Sequence, residues 1–289
     1  MAVTAQLVKE MRERTGLGMM DCKKALVAAE GDIDAAIEAA RKSGQAKADK
    51  KAGRIAAEGR VVAYVGDQGA SLVEINCETD FVGKDESFIA FCDSIAGLAS
   101  QAGSVQELLE TTLPGGGSVE NTRQQLILKI GENIQIRRLA NLSGDGQVFG
   151  SYLHGGNIGV VVKLDKGDEA LAKDIAMHIA ASNPLCVAES EVPAEVLAKE
   201  REIYAAQAAD SGKPEAIQEK MVDGRVRKYL AEITLNGQSF VKDPDITVGK
   251  LLAKSGAAVL EFVRFQVGEG IEKKEEDFVA EVMKQVKGS

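Results

Sequence analysis

The chain has 289 residues, with 35 Lys and Arg against 44 Asp and Glu and a formal charge of −9 at pH 7. That balance repels a phosphate backbone, so no direct nucleic-acid partner is expected, and no apolar run approaches the roughly 18 residues a membrane helix needs. Cys22, Cys77, Cys92 and Cys186 lack metal-ligand spacing, and His154 and His178 lie in separate segments, which leaves little from which to build a zinc site or a Ser-His-Asp system.

The length suits two or three domains. The opening residues, Met1 to Gln6, lack the basic start and apolar core of a signal peptide, so a cytoplasmic protein is expected. Residues 1–54 read as a small helical module and linker. Leu7, Val8 and Met11 share one face of a first helix, which Gly16 and Gly18 break. Cys22, Ala25, Leu26 and Ala29 mark a second helix. Asp32 caps a third, carrying Ile33, Ala36, Ile37 and Ala40 at helical spacing. Leu17, Met19 and Met20 form an apolar loop that either docks on a partner or closes the mini-core. The basic run that follows, with Lys47, Lys50, Lys51 and Arg54, reads as a solvated helical linker.

Beyond the linker the chain carries one pattern twice. Residues 60–65 and 71–76 read as strands around a Gly-Asp-Gln-Gly turn, and a helix capped by Asp85 follows with Phe88, Phe91, Cys92, Ile95 and Leu98. Residues 148–153 and 158–164 repeat the two strands around a His-Gly-Gly-Asn turn, and a helix with Leu171, Ile175 and Ile179 follows. Each half closes with a helix and a third strand, at 124–131 and 134–142 and again at 248–254 and 259–267. The expected fold is therefore α+β: a three-helix module, then a duplicated core of three-stranded antiparallel sheets with helices on one face. The first half of the core spans 55–142, and the second spans 143–186 and 231–267. An antiparallel helical hairpin over 187–230 interrupts the second half. Its arms are expected to use Val196, Glu200, Ile203 and Ala206 against Ile217, Met221 and Tyr229, either to dock on a second chain or to act as a spacer. The glycine-rich loop at 113–118 reads as a flexible surface segment. A C-terminal module, 268–289, ends in an amphipathic helix over 277–287.

The strand at 71–76 runs into Thr79-Asp80-Phe81-Val82, which sets a large apolar ring in a tight strand-to-helix turn among charges. Such a ring either tucks under the helix or projects toward a partner. Chemistry of the covalent kind has no visible machinery. There is no phosphate-binding P-loop, no Rossmann spacing and no nucleophile elbow. No cofactor, metal or catalytic residue is expected.

The strings Leu7-Val8-Lys9-Glu10 and Arg14-Thr15-Gly16-Leu17-Gly18-Met19-Met20-Asp21-Cys22-Lys23-Lys24-Ala25-Leu26 closely resemble the opening of the bacterial elongation factor Ts family. Thr79-Asp80-Phe81-Val82 resembles that family's signature loop. Lys129-Ile130-Gly131-Glu132-Asn133-Ile134, Gly150-Ser151-Tyr152-Leu153-His154-Gly155-Gly156 and Gly268-Glu269-Gly270-Ile271-Glu272 continue the likeness in order along the chain. The resemblance implies a ubiquitin-associated-like N-terminal module and a guanine nucleotide exchange factor for elongation factor Tu. On that likeness the partner would be a GTPase. On that likeness Thr79, Asp80, Phe81 and Val82 would enter the GTPase and disturb its Mg²⁺. Lys9, Met19, Met20 and Lys23 would grip its nucleotide-binding domain. Ile130, Gly131, His154 and Val241 would complete the contact, and the terminal helix would hold another side. A homodimer, a two-by-two complex with the GTPase and one factor per GTPase all fit the sequence. Gly83-Lys84-Asp85 departs from the family's usual Ala and Asn. Two other readings compete: an adaptor built on the N-terminal module, and a hydrolase using Asp80 and His154 as an acid–base pair.

Overall fold

A computed structural model describes residues 3–272, apart from the side chains of Ala46, Lys47 and Asp49. The expected terminal helix at 277–287 lies outside the described residues. Helices α1 (Ala5–Thr15), α2 (Met19–Ala28) and α3 (Ile33–Lys51) form the N-terminal module. Thr4 and Asp32 cap α1 and α3 through side-chain oxygens that accept backbone N–H bonds. Met11, Cys22 and Leu26 are fully buried at its centre. The third helix runs on through the basic segment to Lys51, so helix and linker are one element. Leu17 is buried, whereas Met19 and Met20 open α2 instead of forming a loop.

Strands β1 (Glu58–Gly66) and β2 (Gly69–Cys77) form an antiparallel hairpin. A single turn, α4 (Asp80–Gly83), then precedes α5 (Glu86–Ala99), α6 (Val105–Glu110) and α7 (Val119–Ile130), and β3 (Gln135–Ser143) returns beside β2. The second half has β4 (Val148–His154), β5 (Ile158–Leu164) and α8 (Glu169–Ser182). The hairpin arms α9 (Ala194–Ala209) and α10 (Glu215–Ile233) come next. A two-stranded ribbon of β6 (Ser239–Phe240) and β7 (Asp243–Thr247) follows, then α11 (Val248–Lys254) and β8 (Val259–Gln266), which pairs with β5. Both main sheets are three-stranded and antiparallel, in the orders β1-β2-β3 and β4-β5-β8. No described helix is long and apolar enough to cross a membrane.

Alternation along the strands places the layers. Val62, Val73 and Ile75 face α5 and α7, with Phe88, Ile95 and Ile127 in one core. Val160, Val162 and Leu164 face α8 and α11 in a second core. The remaining faces meet each other: Val61, Ala70, Leu72 and Leu142 of the first sheet pack on Phe149, Val161 and Phe265 of the second. The order is helices, sheet, sheet, helices. The Gly-rich turn after β4 also reaches across, where the Gly156 carbonyl accepts from the N–H of Val61 at 2.7 Å.

Glu74 sits on the inter-sheet face and is wholly buried. Its carboxylate pairs with Arg137 at 3.0 Å and Arg138 at 2.6 Å, and it accepts from Asn76 Nδ2 at 3.1 Å and from the N–H of Gly268 at 2.8 Å. Adjacent arginines reach one carboxylate because the β2–β3 register shifts between Glu74 and Ile75. That bulge turns two consecutive side chains to one side. Gly268 has φ +72°, and a Cβ there would lie 2.2 Å from the Ala57 carbonyl oxygen, so only glycine brings its N–H this close. Burial pushes the Glu74 carboxyl up, but the Gly268 N–H, Arg138, Asn76 and Arg137 outweigh it and hold the group below the usual carboxylate range.

The hairpin packs differently from the expectation. Ala208, Val222 and Val226 are buried, with Leu197, Tyr204 and Leu230 against them, while Ile203 and Ile217 are exposed. The contact face is rotated by about one residue, and Arg201 pairs with Asp223 at 2.6 Å across the arms. The 113–118 loop closes tightly, since Leu113 is buried in the first core and its N–H donates to the Gly117 carbonyl at 2.9 Å.

Removing the Glu74 carboxylate strands two half-buried arginines. Glu74→Ala is expected to lower the unfolding free energy by roughly 3 kcal/mol, read from urea midpoints. Because the folded-state value is lowered, the stabilisation is complete above the ordinary carboxylate range and is lost as pH falls through Glu74's own value. The Glu74→Gln variant should therefore lose stability less steeply than the parent on acidification, and equal slopes would place the acid sensitivity elsewhere.

Candidate functional site

The turn after β2 is built by crossing hydrogen bonds from the segment between α7 and β3. Gly131, at φ +91°, ends α7 in the left-handed conformation and lets the chain reverse. Glu132 then points back at the turn. Its Oε2 accepts from the N–H groups of Glu78 (3.1 Å) and Thr79 (3.0 Å), and its Oε1 accepts from Thr79 Oγ1 at 2.7 Å. In return Glu78 Oε1 accepts from the N–H of Asn133 at 2.6 Å. Asn133 Nδ2 donates to the carbonyl of Arg54 at 2.8 Å, which ties the end of the N-terminal module to the same junction. Lys51 Nζ also donates to the Gly131 carbonyl.

Thr79 caps α4, its hydroxyl oxygen accepting from the N–H of Val82 at 3.4 Å. Val82 is buried in the first core, so the one-turn helix must turn its neighbour outward. Phe81 is 81% exposed, although Phe88 and Phe91 a few residues on are buried. Asp80 pairs with Lys84 one turn later at 2.7 Å. The hydrogen bond and charge of Lys84 hold the exposed Asp80 carboxyl below its usual range. Beneath the turn, burial pushes the Cys77 thiol up to about 12, and its Sγ donates to the Thr79 carbonyl at 3.2 Å. Such a thiol is a packing group rather than a nucleophile.

The other expected contact residues fall in separate places. Met19 and Met20, at the start of α2, are 60% and 64% exposed, and Lys23 is exposed one turn on. Lys9 is exposed and lies 3.8 Å from Glu13. Ile130 is half-buried and Gly131 adjoins the Thr79–Val82 turn through Glu132. His154 is exposed and stacks on Tyr152 with ring centroids 6.3 Å apart. Val241 is exposed, next to buried Phe240. Its N–H donates to His178 Nδ1 at 3.2 Å, and His178 Nε2 lies 2.9 Å from Gln238 Oε1. Burial pushes the His178 imidazole down, which suits a neutral ring accepting at Nδ1.

Among the described residues Asp80 and His154 share no hydrogen bond, since Asp80 is taken by Lys84 and His154 by Tyr152. No group of described His, Cys, Asp and Glu residues could hold a metal ion. The arrangement offers an apolar ring on a braced turn, with exposed methionines and an exposed histidine elsewhere on the surface. Glu132 and Glu78 are the residues that spacing alone misses, because their partners lie more than fifty positions away. The motif containing Glu132 was legible, but its role was not.

Phe81 and Val82 make opposite demands on the fold. Phe81→Ala is expected to leave thermal stability within about 0.5 kcal/mol, as surface substitutions do. Val82→Ala should cost about 1 kcal/mol or more through lost core contacts. Thermal melts followed by circular dichroism separate the two, and a large loss in Phe81→Ala would mean the ring is part of the core.

Residues 78–269 match the family model described as Elongation factor TS. The chain is 59% identical over its whole length to "Elongation factor Ts" of Methylococcus capsulatus, and the match covers all of that protein. It is 60% identical to the protein of the same name from Thioalkalivibrio sulfidiphilus, again with both chains fully covered. The relative from Francisella tularensis subsp. novicida is 57% identical with 99% of each chain aligned.

Proposed function

The chain belongs to the elongation factor Ts family, and on that premise we propose how its residues carry out the family's work. It is the guanine nucleotide exchange factor for elongation factor Tu in translation elongation and carries out no covalent chemistry of its own. Its place of action is the cytoplasm. The protein binds the GDP-loaded GTPase, promotes release of GDP and stays bound until GTP loads.

The observation that carries the mechanism is the exposed ring of Phe81 on a turn anchored at both ends. An exposed phenyl on rigid backbone gains roughly 2–3 kcal/mol when a partner buries it. Entering the switch region of the GTPase, the ring wedges apart the groups that orient Mg²⁺, and the phosphates lose charge neutralisation. Asp80 arrives beside it and adds repulsion toward those phosphates. Met19, Met20, Lys9 and Lys23 grip the nucleotide-binding domain, where exposed methionines adapt to an irregular surface. Ile130, Gly131, His154 and Val241 complete the contact. Exchange then follows from linkage: a factor that favours the nucleotide-free GTPase weakens nucleotide binding by the same factor. The units at 1–54, 55–142, 143–186 with 231–267, 187–230 and 268–289 serve as the working parts of this surface.

We assign any pairing of two copies, as a homodimer or within a two-by-two complex with the GTPase, to the hairpin, where Ile203 and Ile217 are exposed. Sedimentation equilibrium should then show self-association weakened by Ile203→Ser with Ile217→Ser. An unchanged profile would remove the hairpin from the interface.

The direct test is the release rate of fluorescent GDP from elongation factor Tu. The parent should accelerate release, and folded Phe81→Ala should do so about tenfold less well, equivalent to about 1.4 kcal/mol or half of the ring's burial. Equal acceleration by both proteins would keep the exchange activity and move the mechanism to other contacts.

A further inference from the structure

The bracing of the signature turn rests on one side chain that touches no partner-facing group except through the turn. We propose that Glu132 is a positioning residue for nucleotide exchange: its carboxylate holds the turn so that Phe81 is presented already in place. The inference rests on the reading of Phe81 given above.

The geometry is specific. Glu132 Oε2 receives two consecutive backbone N–H groups, those of Glu78 and Thr79, and Oε1 receives the Thr79 hydroxyl. Because Thr79 directs its proton to Glu132, its lone pairs are left facing the N–H of Val82, which starts the helical turn carrying Phe81. The relay runs from Glu132 through Thr79 to Val82, one residue beyond the ring. Glu78 returns the arrangement by accepting from the N–H of Asn133, with Arg54 at 3.5 Å from the same carboxylate. Two carboxylates so close would repel each other, but each is facing donors from the other's segment. Both ends of the turn are therefore fixed, one by this crossed pair and the other by Val82 in the core.

A preformed turn matters because ordering a loose one at the moment of binding would consume the gain from burying a single ring. Carboxylate acceptors suit this task. A glutamine keeps one oxygen for the two N–H groups but turns an NH₂ toward the Thr79 hydroxyl, so the charge-assisted bonds are lost and the hydroxyl must accept where it had donated. The side chain is itself half-buried and does not project with Phe81.

The test uses the full chain and elongation factor Tu loaded with fluorescent GDP. The proteins are the parent, Glu132→Gln, Phe81→Ala and the double variant, with the maximal release rate and half-saturating concentration measured for each. Glu132→Gln is expected to lower the maximal rate about tenfold, with half-saturation within about twofold. In the Phe81→Ala background the same change should add less than about twofold, because a positioning residue has nothing left to position. Amide hydrogen exchange should accelerate at Glu78, Thr79 and Val82 with the sheet amides unchanged. If Glu132→Gln fails to fold, Thr79→Val removes the relay hydroxyl while keeping the shape and takes its place. Full-rate exchange by Glu132→Gln beside a depressed Phe81→Ala overturns the inference alone, as does an additive double variant. A Phe81→Ala rate equal to the parent's overturns the reading of the ring and this inference with it.

Discussion

Burying a carboxylate between two sheets is costly unless donors surround it, and the inter-sheet geometry satisfies that demand at Glu74. Its partners come from three separate stretches: β2 itself through Asn76, β3 through Arg137 and Arg138, and the chain just past β8 through the N–H of Gly268. Arg138 also lies 4.1 Å from the centre of the Phe265 ring and reaches Glu269, while Arg137 donates to the Glu269 carbonyl. An apolar core alone would let the two sheets slide over each other, since dispersion has little directional preference. A charge with fixed donors does not slide. The two halves are therefore registered by a polar point inside an otherwise apolar contact.

That registration reaches the signature turn within a few residues. Glu74 and Cys77 lie on the same strand, and Thr79 begins the cap of the turn. The Gly-rich turn carrying His154 is held to β1 through Gly156 and Val61, and Ala57, just before β1, lies against Gly268. Groups that the family likeness assigns to one contact surface thus hang on neighbouring ends of the same two-sheet frame. The N-terminal module is attached more narrowly, by α3 along α7 with Leu128 against the module's core and by the Asn133 bonds to the end of the linker.

Much of this was readable because local rules decided it. Asp32 and Asp85 cap helices as their positions imply, and the strand at 71–76 was marked by its own alternation. The repeat of strand, strand and helix followed from period alone. What escaped the sequence depended on contacts between distant segments. Pattern could show that each sheet has one face for helices, but not that the other face meets its duplicate. The hairpin face was misread because its apolar residues are sparse on every side, and arm-to-arm packing through Leu197, Tyr204 and Ala208 settled a choice that spacing left open. Glu132 stands in a recognisable string, yet its partners lie across the fold. The residue most visible in the sequence, Phe81, thus stands on a turn braced by a residue whose hydrogen bonds the sequence hid.

The ion pair between Asp80 and Lys84 bears on how the turn can engage a partner. Both side chains are largely in water, where such a pair contributes little and is screened by salt. It neutralises the carboxylate while the protein is free, and it is weak enough to be exchanged for a new partner at small cost. The rigid contribution comes instead from Val82 below and the glutamate brace at the side. On the proposed reading, a turn whose backbone is fixed but whose charged tip is loosely held would enter the GTPase's phosphate site without first reorganising. The strength of binding must then come from the wider surface, because one ring cannot offset the loss of a tightly held nucleotide.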